Sequence, residues 1–466
     1  MSRKVDVAII GSGSAGLNAL GQVRKAKKSF VLINGGPTGT VCARVGCMPS
    51  KVAIQAASDF QRRCKFSEMG IYGGDQLTID RSEAMAHVRK LRDFFVGRVR
   101  SKSTDKLGDY FIDGYAEFLS PNSLKVNDEI IEMSQTVIAT GSSPVLPSIW
   151  SHFGNRVITT DTFFEQEQIP NRMAVIGLGV IGLELGQTLS RWGVQVTGID
   201  ALNSIGGIQD PEINQAALET FTSEFPIWLG HPAQIELQGD DLLISAGDRT
   251  ICVDQVLVCV GRIPNLKHLG IQATGAPLDG KGIPLFNPET MQVGNLPIFI
   301  AGDVSGDRPI LHEAADEGKI AGYNASHDEI LSFRRKTPLG ITFTDPNLAF
   351  VGTPYLDLPK DAVSASMNFA QQARAIQMLK NNGLLKVYAR ETDGRLLGAS
   401  IFTPHGEHLA HLLAWCIQSG MTVSDLMKLP YYHPVLEEGL QNVISSLAGL
   451  VQMNPEPIPE LTKVER

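Results

Sequence analysis

Two copies of one glycine-rich pattern limit the fold of this chain more than any other feature. In the first copy, an apolar run at 5–10 is followed by GSGSAG at 11–16, a helix-like segment and a second apolar run at 30–33. In the second copy, an apolar run at 173–176 is followed by GLGVIG at 177–182, a helix-like segment and an apolar run at 194–199. This order of strand, GxGxxG turn, helix and strand predicts two βαβ units that each bind a dinucleotide.

The glycines of such a turn have separate physical tasks. They allow a tight turn, close approach of backbone N–H groups to a pyrophosphate, and close packing of the helix on the strand. The positive end of the helix dipole then faces the phosphates. Two units therefore predict two bound dinucleotides, unless one unit is kept only as a scaffold.

The residue that ends the second strand differs between the two units. Asp200 ends it in the second unit, where a carboxylate binds the adenosine 2′- and 3′-hydroxyls. The segment 201–210 contains no Arg or Lys to pair with a 2′-phosphate, which favours NAD over NADP. Asn34 stands at the matching position of the first unit, so a ribose can be bound there without a charge-assisted hydrogen bond.

Length and charge exclude several classes of protein. The chain has 466 residues, which predicts two to four domains, and 41 Lys and Arg against 49 Asp and Glu give a net charge of −8. An acidic chain lacks the cationic excess that nucleic-acid binding needs. No apolar run approaches the roughly 18 residues of a membrane span, and no secretory signal is evident, so a cytoplasmic location is expected.

Two of the six cysteines, Cys42 and Cys47, lie close together just after the first unit. In an ideal helix, a separation of five residues gives about 7.5 Å of axial rise, whereas a disulfide needs Cα atoms within roughly 4.4–6.8 Å. The pair can therefore bridge only where the helix is irregular, and Gly46 supplies the necessary backbone freedom. An exchangeable disulfide beside a dinucleotide unit indicates redox chemistry. A zinc site would need two more ligands, and none stands nearby.

Several further motifs accompany the cysteine pair, and they occur in a recognisable order. With them, the chain resembles the flavoprotein disulfide reductases, and those of the dihydrolipoamide dehydrogenase type most of all. The motifs are CxxxxC followed by Pro49-Ser50-Lys51, then ATGS at 139–142, VGRIPN at 260–265, AGD at 301–303, Leu311-His312, TDP at 344–346, and His433-Pro434 with Glu438.

The resemblance implies an α/β fold with two Rossmann-like domains, for FAD and NAD, and a C-terminal α+β dimerisation domain. The implied segments are 1–147 and 269–337 for FAD, 148–268 for NAD and 338–466 for the subunit interface. The implied FAD-binding residues are Gly11, Gly13, Ser14, Ala15, Gly16, Asn34, Gly39, Thr40, Lys51, Ala116, Thr140, Gly141, Ser142, Gly302, Asp303, Leu311 and His312. The implied NAD-binding residues are Gly177, Gly179, Val180, Ile181, Gly182, Glu184, Asp200, Gly261 and Arg262.

The resemblance also implies a catalytic set of Cys42, Cys47, His433 and Glu438, with His433 supplied by the partner subunit of a homodimer. Spacing alone does not choose between Glu437 and Glu438 as the partner of the imidazole, but the family motif matches Glu438. From the residues alone, Pro434 is expected at the first position of a helix. Its apolar stripe would consist of Leu436, Leu440, Val443, Leu447 and Leu450.

The expected reaction is oxidation of dihydrolipoamide by NAD⁺ to give lipoamide and NADH. Expected partners are a small dithiol or disulfide or a lipoyl-bearing protein, with a 2-oxo acid dehydrogenase complex as a further possibility. Thr40-Val41 before Cys42 and Val435-Leu436-Glu437 after Pro434 depart from the family pattern, so lipoamide is not secured. The alternatives are another small disulfide, a quinone or oxygen as substrate, or a scaffold without catalysis.

Two other assignments are rejected from the sequence. No cysteine follows Cys416, so the C-terminal cysteine pairs of mercuric reductases and large thioredoxin reductases are missing. The histidine-rich segment 405–411 places His408 and His411 three residues apart, but it lacks the HExxH order and falls where the family has an interface helix. No resident metal ligand is predicted.

Overall fold

The computed structural model describes residues 2–452 and 454–464. Residues 1, 453, 465 and 466, which belong to the first and last predicted segments, lie outside the described residues.

The first segment forms one sheet that contains the first glycine-rich unit, and two parallel pairings lie at its centre, with Ile9 opposite both Leu32 and Val137. Its strands are β1 (Ser2–Ile10), β2 (Phe30–Asn34), β3 (Phe111–Asp113), β4 (Ala116–Ser120), β5 (Ser123–Val126), β6 (Glu129–Ile138) and, as a separate short strand, β7 (Ser142–Pro144).

Helices follow the strands of this sheet, and one of these helices begins at Cys47. Its α-helices are α1 (Ser14–Lys25), α2 (Val41–Val45), α3 (Cys47–Arg62) and α4 (Arg81–Lys102), and short 3₁₀ turns are Arg63–Lys65, Ser67–Met69, Gly74–Gln76, Thr104–Lys106 and Gly108–Tyr110. The Asp80 carboxylate accepts hydrogen bonds from the N–H groups of Ser82 and Glu83 and so caps α4. Helix α4 therefore begins at Arg81, directly after its cap.

The second glycine-rich unit lies in a separate sheet of five parallel strands, which are, in spatial order, Ile227–Trp228, Gln195–Ile199, Arg172–Ile176, Gln255–Val258 and Val157–Ile158. A three-stranded antiparallel sheet formed by residues 234–253 packs beside it, and Leu242 and Ile244 from it are fully buried. The elements are β8 (Val157–Ile158), α5 (Thr160–Phe163), β9 (Arg172–Ile176), α6 (Val180–Arg191), β10 (Gln195–Ile199), α7 (Pro211–Thr222), β11 (Ile227–Trp228), β12 (Gln234–Gln238), β13 (Asp241–Ala246), β14 (Arg249–Val253), β15 (Gln255–Val258) and β16 (Arg262–Pro264), with 3₁₀ turns at Ser148–Arg156 and Ile271–Thr274.

The chain then returns to the first sheet. Strand β17 (Ile298–Ile300) pairs in parallel with β6, a 3₁₀ turn follows at Asp303–Ser305, and α8 (Leu311–Asn324) packs on α1. Glycine sets the distance between these helices, because a Cβ on Gly318 would lie 2.1 Å from the Ala15 carbonyl oxygen. The return brings residues near 302 to the glycine turn of the first unit.

The C-terminal segment forms a five-stranded antiparallel sheet, whose strands are, in spatial order, Leu339–Thr342, Asn347–Gly352, Leu396–Thr403, Leu384–Arg390 and Ala362–Asn368. Helices pack on it through a separate core, in which Leu409, Leu413 and Val443 are buried. The elements are β18 (Leu339–Thr342), β19 (Asn347–Gly352), β20 (Ala362–Asn368), α9 (Ala373–Gln377), β21 (Leu384–Arg390), β22 (Leu396–Thr403), α10 (Gly406–Gln418), α11 (Val423–Met427) and α12 (Glu438–Ala448), with 3₁₀ turns at Tyr355–Asp357 and Phe369–Gln371.

These sheets confirm the predicted fold class, with two dinucleotide-type α/β units and a C-terminal α+β unit. The predicted segment boundaries stay predictions. Among the residues that the structure describes, no helix combines the length and the apolar character that crossing a membrane would require.

Candidate functional site

The turn of the first unit accepts only glycine at two positions. Gly11 has φ +112°, and a Cβ there would lie 2.1 Å from the Ala139 carbonyl oxygen. A Cβ on Gly16 would lie 1.9 Å from the Gly11 carbonyl oxygen. By contrast, the space beside Gly13 is open, and no side chain caps the α1 N-terminus at Ser14 and Ala15. Free N–H groups therefore border an open space in which a pyrophosphate fits.

The second unit repeats this geometry closely. A Cβ on Gly182 would lie 1.8 Å from the Gly177 carbonyl oxygen, and the space beside Gly179 is open. The first helical residues of α6, Val180 and Ile181, are exposed at the uncapped helix N-terminus. The turn of this unit also offers backbone donors to a phosphate.

The residues that end the second strands hold these turns. Asn34 Oδ1 accepts hydrogen bonds from the backbone N–H of Ser12 at 3.0 Å and from its hydroxyl at 2.9 Å. Asp200 Oδ2 accepts from the Leu178 N–H at 2.5 Å, and Oδ1 accepts from the Leu202 N–H at 2.9 Å. Each side chain thus binds the amide that follows the first glycine of its motif.

The cysteine pair straddles a break between two helices. Helix α2 ends at Val45 and α3 begins at Cys47, with Gly46 between them at φ −125° and ψ −121°. A Cβ on Gly46 would lie 3.2 Å from the Cys42 Cα, so the chain folds closely back on itself there. The predicted helix irregularity at Gly46 is present, and it brings the two thiols within hydrogen-bonding distance of each other.

The two thiols have opposite proton affinities. The hydrogen bond from the Cys42 thiol and the charge of Lys51 lower the pKa of Cys47 to about 7, against the effect of burial. The hydrogen bond to Cys47 and burial raise the pKa of Cys42. Cys47 therefore carries the thiolate near neutral pH, as a redox-active cysteine requires.

Lys51 connects the cysteine segment to the second unit. Its Nζ lies 2.8 and 3.0 Å from the carboxylate oxygens of Glu184, which is buried in α6. Glu184 also accepts the backbone N–H of Phe343 at 2.7 Å, and the Lys51 ammonium lies 4.6 Å from the centroid of the Phe343 ring. This cluster joins all three parts of the molecule beside Cys47.

A second cluster brings together residues predicted for different cofactors. The Ser142 hydroxyl donates to Asp303 Oδ2 at 2.7 Å and accepts from Arg262 Nε at 2.8 Å. Strands β7 and β16 pair here, and Gly261 and Gly141 adopt φ of +117° and +70° next to them. Arg262, predicted for NAD, thus holds two residues predicted for FAD.

Other predicted FAD residues lie around the same region. Gly302 donates its N–H to the buried Glu317 at 2.6 Å, and burial raises the pKa of that carboxyl to about 7. Leu311 and His312 begin α8 and are exposed, whereas Ala116 begins β4 and is buried. Gly39 packs on α4, since a Cβ there would lie 2.6 Å from Val96.

Thr40 occupies a backbone conformation that side chains rarely adopt, with φ +65° and ψ +147°. Its hydroxyl accepts the Ala43 N–H at 3.2 Å and caps α2. This departure from the family pattern is therefore tolerated with a local hydrogen bond directly before Cys42.

His433 and Glu438 meet as predicted, but not at the start of a helix at Pro434. His433 Nδ1 lies 2.8 Å from Glu438 Oε1, and the Val435 N–H donates to Glu438 Oε2 at 3.0 Å. These bonds lower the pKa of Glu438. Glu437 makes no side-chain hydrogen bond within the described part of the chain, so the geometry favours Glu438.

The expected helix start is wrong by four residues. Helix α12 begins at Glu438, because residues 433–437 form a turn closed by the Glu438 carboxylate. Of the predicted stripe, Leu440, Val443 and Leu447 are buried in the helix, whereas Leu436 precedes it and Leu450 follows it. The turn presents His433 to solvent, with 75% of its side chain exposed.

Three residues at these clusters were not predicted. Phe343 precedes the TDP motif and contacts the Lys51–Glu184 pair. Asn265, the last residue of the VGRIPN motif, donates to the Thr140 carbonyl at 3.0 Å and accepts from Ser143. Tyr115 lies against Gly35, where a Cβ would be 2.5 Å from its ring. Only Asn265 carried a sequence signal, through its place in a quoted motif.

The donors in this region fit a flavin dinucleotide. Thr140 Oγ1 is buried and has no hydrogen-bond partner among the described residues, although it lies in the ATGS segment next to the glycine turn. The uncapped α1 N-terminus and the open space at Gly13 fit a pyrophosphate. The same two features recur at Gly179 and α6 for a nicotinamide dinucleotide.

Comparison with known families agrees with this geometry. The pyridine nucleotide-disulphide oxidoreductase family matches residues 5–318, and the dimerisation domain of the same family matches residues 339–444. This chain belongs to the pyridine nucleotide-disulphide oxidoreductases. Members of the family are FAD-containing, NAD(P)H-dependent flavoproteins with a disulfide redox centre, and the dimerisation domain supports a homodimer.

Relatives within the family have different names. A dihydrolipoyl dehydrogenase of Geobacillus stearothermophilus is 28% identical over an alignment of 459 residues that covers 93% of this chain and 94% of that protein, gaps being counted in the alignment length. A mercuric reductase of Staphylococcus aureus is 28% identical over an alignment of 453 residues that covers 94% of this chain and 81% of that protein. The family models thus establish the family, and relatives at 28% identity do not select the substrate.

Solved structures agree on the fold. The Cu(II) complex of the HOCl-induced flavoprotein disulfide reductase RclA from Escherichia coli has a TM-score of 0.83 at 22% identity, covering 96% of this chain and 100% of that chain. LpdA from Mycobacterium tuberculosis has a TM-score of 0.81 at 22% identity, covering 96% of this chain and 99% of that one.

Proposed function

We propose that this flavoprotein transfers an electron pair from a dithiol to NAD⁺ through the Cys42–Cys47 pair, with dihydrolipoamide as the first candidate substrate. The observation that carries the proposal is the helix break at Gly46, which brings Cys42 and Cys47 together beside the Lys51–Glu184 ion pair. Cys42 and Lys51 lower the pKa of Cys47 to about 7, which agrees with this arrangement. The balanced reaction is dithiol + NAD⁺ → disulfide + NADH + H⁺.

The chain's own groups account for the thiol steps. A substrate thiol loses its proton to Nε2 of His433 of the partner subunit, which is free because Nδ1 faces Glu438. The substrate thiolate attacks Cys42 Sγ of the disulfide, and the S–S bond breaks with the electron pair on Cys47. The second substrate thiolate then displaces Cys42, which closes the product disulfide.

Glu438 acts as a positioning residue for the imidazole. Its carboxylate accepts from Nδ1 and from the Val435 N–H, so the ring is fixed in the tautomer that leaves Nε2 as a proton acceptor. Lys51 stabilises the Cys47 thiolate, and Glu184 holds Lys51 in place.

The residues that would hold the cofactors lie around the open spaces beside the two glycine turns. The turn 11–16, Asn34, Gly39, Thr40, Thr140, Ser142 and Asp303 would hold FAD, and the turn 177–182, Asp200 and Gly261 would hold NAD. FAD, when bound, supplies the two-electron relay between the cysteine pair and the nicotinamide. The preference for NAD rests on the Asp200 carboxylate, which would repel a 2′-phosphate.

The decisive experiment replaces one cysteine of the pair. We expect Cys47→Ser to lose at least about 10³-fold of dihydrolipoamide:NAD⁺ turnover, because Cys42 then has no partner with which to form the disulfide that the dithiol reduces, while FAD stays bound. Cys64→Ser, an exposed cysteine outside the pair, is the matched control and should keep the parent rate. Parent-level turnover in Cys47→Ser would refute the assignment of the pair.

A second candidate is the reduction of a thiophilic metal ion at the same cysteine pair. It is favoured by the relatives named mercuric reductase and by RclA, which was solved with Cu(II). The C-terminal cysteine pair of mercuric reductases is missing here, so Cys42 and Cys47 alone would have to bind and reduce the ion. NADH oxidation that depends on Hg²⁺ or Cu²⁺, is lost in Cys47→Ser and is not matched by lipoamide would select it. Inertness of both ions beside active lipoamide would exclude it.

A further inference from the structure

We propose that His405, Glu407 and His408 form a binding site for one divalent transition-metal ion, outside the cysteine pair. The sequence order around these residues matches no known metal motif. In the structure, however, one ligand atom from each of the three side chains lies within 4.8 Å of the other two. Two imidazoles and a carboxylate on one short stretch of chain make a mixed nitrogen and oxygen donor set.

The backbone fixes the turn that carries these ligands. It connects the end of β22 at Thr403 to the start of α10 at Gly406. A Cβ on Gly406 would lie 3.0 Å from Thr403 Oγ1 and 3.3 Å from the Asn347 carbonyl oxygen, so the chain runs close against the sheet. The His408 N–H donates to the His405 carbonyl at 3.0 Å and closes the turn. Both rings therefore project from a rigid base.

The ligand atoms are available for binding. Within the described residues, the rings of His405 and His408 make no hydrogen bond, and they face each other at 6.1 Å between centroids with an interplanar angle of 15°. The next histidine on the helix differs, because His411 Nδ1 lies 2.7 Å from the Glu407 carbonyl oxygen. Glu407 Oε1 lies 3.7 Å from His408 Nε2, and a ligand atom of His405 lies within 4.8 Å of both residues' ligand atoms.

The charges around His405 also fit. The positive charge of Lys380 acts on His405 and would repel a bound cation, and the Asp345 carboxylate acts in the opposite direction. Lys380 is itself paired with Asp345 at 3.2 Å. Its repulsion of a cation is thereby partly offset.

The donor set indicates the class of ion. Imidazole nitrogen with one carboxylate suits Zn²⁺ or Cu²⁺, whereas Mg²⁺ and Ca²⁺ prefer oxygen ligands alone. Ligands around a tetrahedral Zn²⁺ lie about 3.3 Å apart, so the three side chains must close by at most roughly 1.5 Å. In the single chain the His408 side chain is 68% exposed, so its rotation can supply this closure. The segment falls on the expected interface helix, so binding is measured on the dimer. Three protein ligands leave the fourth position to water.

The experiment is a titration of the FAD-loaded protein with its redox pair oxidised, so that Cys42 and Cys47 do not compete as thiolates. We expect one equivalent of Zn²⁺, measured by calorimetry, that is bound at least tenfold more weakly in both His405→Ala and His408→Ala. Glu407→Gln should weaken binding to a smaller extent, since the amide oxygen still ligates without charge. His411→Ala is the matched control and should leave the affinity unchanged. Cu²⁺ should give an electron paramagnetic resonance spectrum with coupling to two nitrogens.

Equal Zn²⁺ affinity in the parent, His405→Ala and His408→Ala would overturn the proposal. A loss in His411→Ala as large as that in His408→Ala would show that the ligand set is wrong. Binding of Mg²⁺ as tight as that of Zn²⁺ would contradict the ion class. None of these readouts depends on turnover, so the site and the proposed reaction can fail independently.

Discussion

The two glycine-rich units share one backbone geometry but differ in the residue that ends the second strand. Gly16 and Gly182 each leave no room for a Cβ beside a carbonyl of the same turn, at 1.9 and 1.8 Å. Asn34 and Asp200 each accept the amide that follows the first glycine. The Asn34 amide thus holds the turn of the first unit as the Asp200 carboxylate holds the turn of the second.

What the amide cannot replace is the charge. Asp200 offers an anionic acceptor to a ribose and repels a 2′-phosphate, whereas Asn34 offers a neutral acceptor. Asn34 gains a contact that an acid could not make, because its Nδ2 donates to the Gly36 carbonyl at 2.7 Å. Compared with Asp200, Asn34 therefore offers a weaker hydrogen bond to a ribose but makes an additional hydrogen bond within its own loop.

The largest effect should come from adding a methyl group to the matched glycines. We expect Gly16→Ala to be purified with less than about a tenth of the parent's FAD, since the new Cβ would collide with the Gly11 carbonyl. Gly182→Ala should keep its flavin and raise the KM for NADH at least about 100-fold, a loss of about 2.7 kcal/mol. Flavin absorbance and steady-state kinetics measure both changes.

Gly21→Ala is the control, because a Cβ at that position of α1 meets nothing within 4 Å. It should retain FAD at the parent level. Loss of FAD from Gly182→Ala, with FAD retained in Gly16→Ala, would reverse the assignment of the two units.

The next effect concerns the ion pair that connects the two units. Replacing Lys51 by Met leaves the buried Glu184 carboxylate without its cation, and we expect a loss of about 3 kcal/mol in the free energy of unfolding. Lys51 also lowers the pKa of Cys47, so in the variant this pKa should rise above about 7 and the thiolate at pH 7 should decrease. Urea unfolding and the pH dependence of thiolate absorbance in the reduced protein separate the two results.

The double variant Lys51→Met/Glu184→Gln provides the matched comparison. It removes the buried charge and should recover much of the stability, but the pKa of Cys47 should stay raised. Recovery of the low pKa in the double variant would mean that Lys51 does not stabilise the thiolate.

The two units also show what the sequence could predict. Both turns were evident because glycine spacing is a local signal, and the break at Gly46 followed from the reach of a disulfide. The Ser142–Asp303–Arg262 cluster joins residues from distant parts of the chain, and only the return of β17 to the first sheet brings Asp303 to Ser142. A local sequence pattern contains no information on contacts between residues so far apart in the chain.

The helix expected at Pro434 failed for a related reason. Proline is common at the first helical position, and the apolar spacing from Leu436 onward continued into the true helix. The side chain of Glu438, however, accepts the Val435 N–H and closes a turn before α12 begins. A side-chain hydrogen bond to the backbone therefore determined the boundary, and apolar spacing does not report such a bond.

A smaller change makes the second unit resemble the first. In Asp200→Asn the side-chain oxygen can still accept the Leu178 N–H, so the fold should persist. Loss of the charge-assisted bond to ribose should raise the KM for NADH about tenfold, near 1.4 kcal/mol. The ratio of kcat/KM for NADH to that for NADPH should decrease, because the repelling carboxylate is gone. An unchanged ratio would show that Asp200 does not set the preference for NAD.

The smallest effect should come from the reverse change, Asn34→Asp. The new carboxylate keeps the hydrogen bonds from Ser12 but can no longer donate to the Gly36 carbonyl, and it places a charge beside that oxygen. We expect a loss of about 1 kcal/mol in the free energy of unfolding of the FAD-free protein. The affinity for FAD should change less than about fivefold, because a stronger ribose acceptor offsets the loosened loop. Asn34→Ala loses both contributions, so it should lower stability and FAD affinity together. An FAD affinity in Asn34→Asp that falls as far as in Asn34→Ala would mean that the donor to Gly36, rather than the acceptor to Ser12, is what this unit needs at that position.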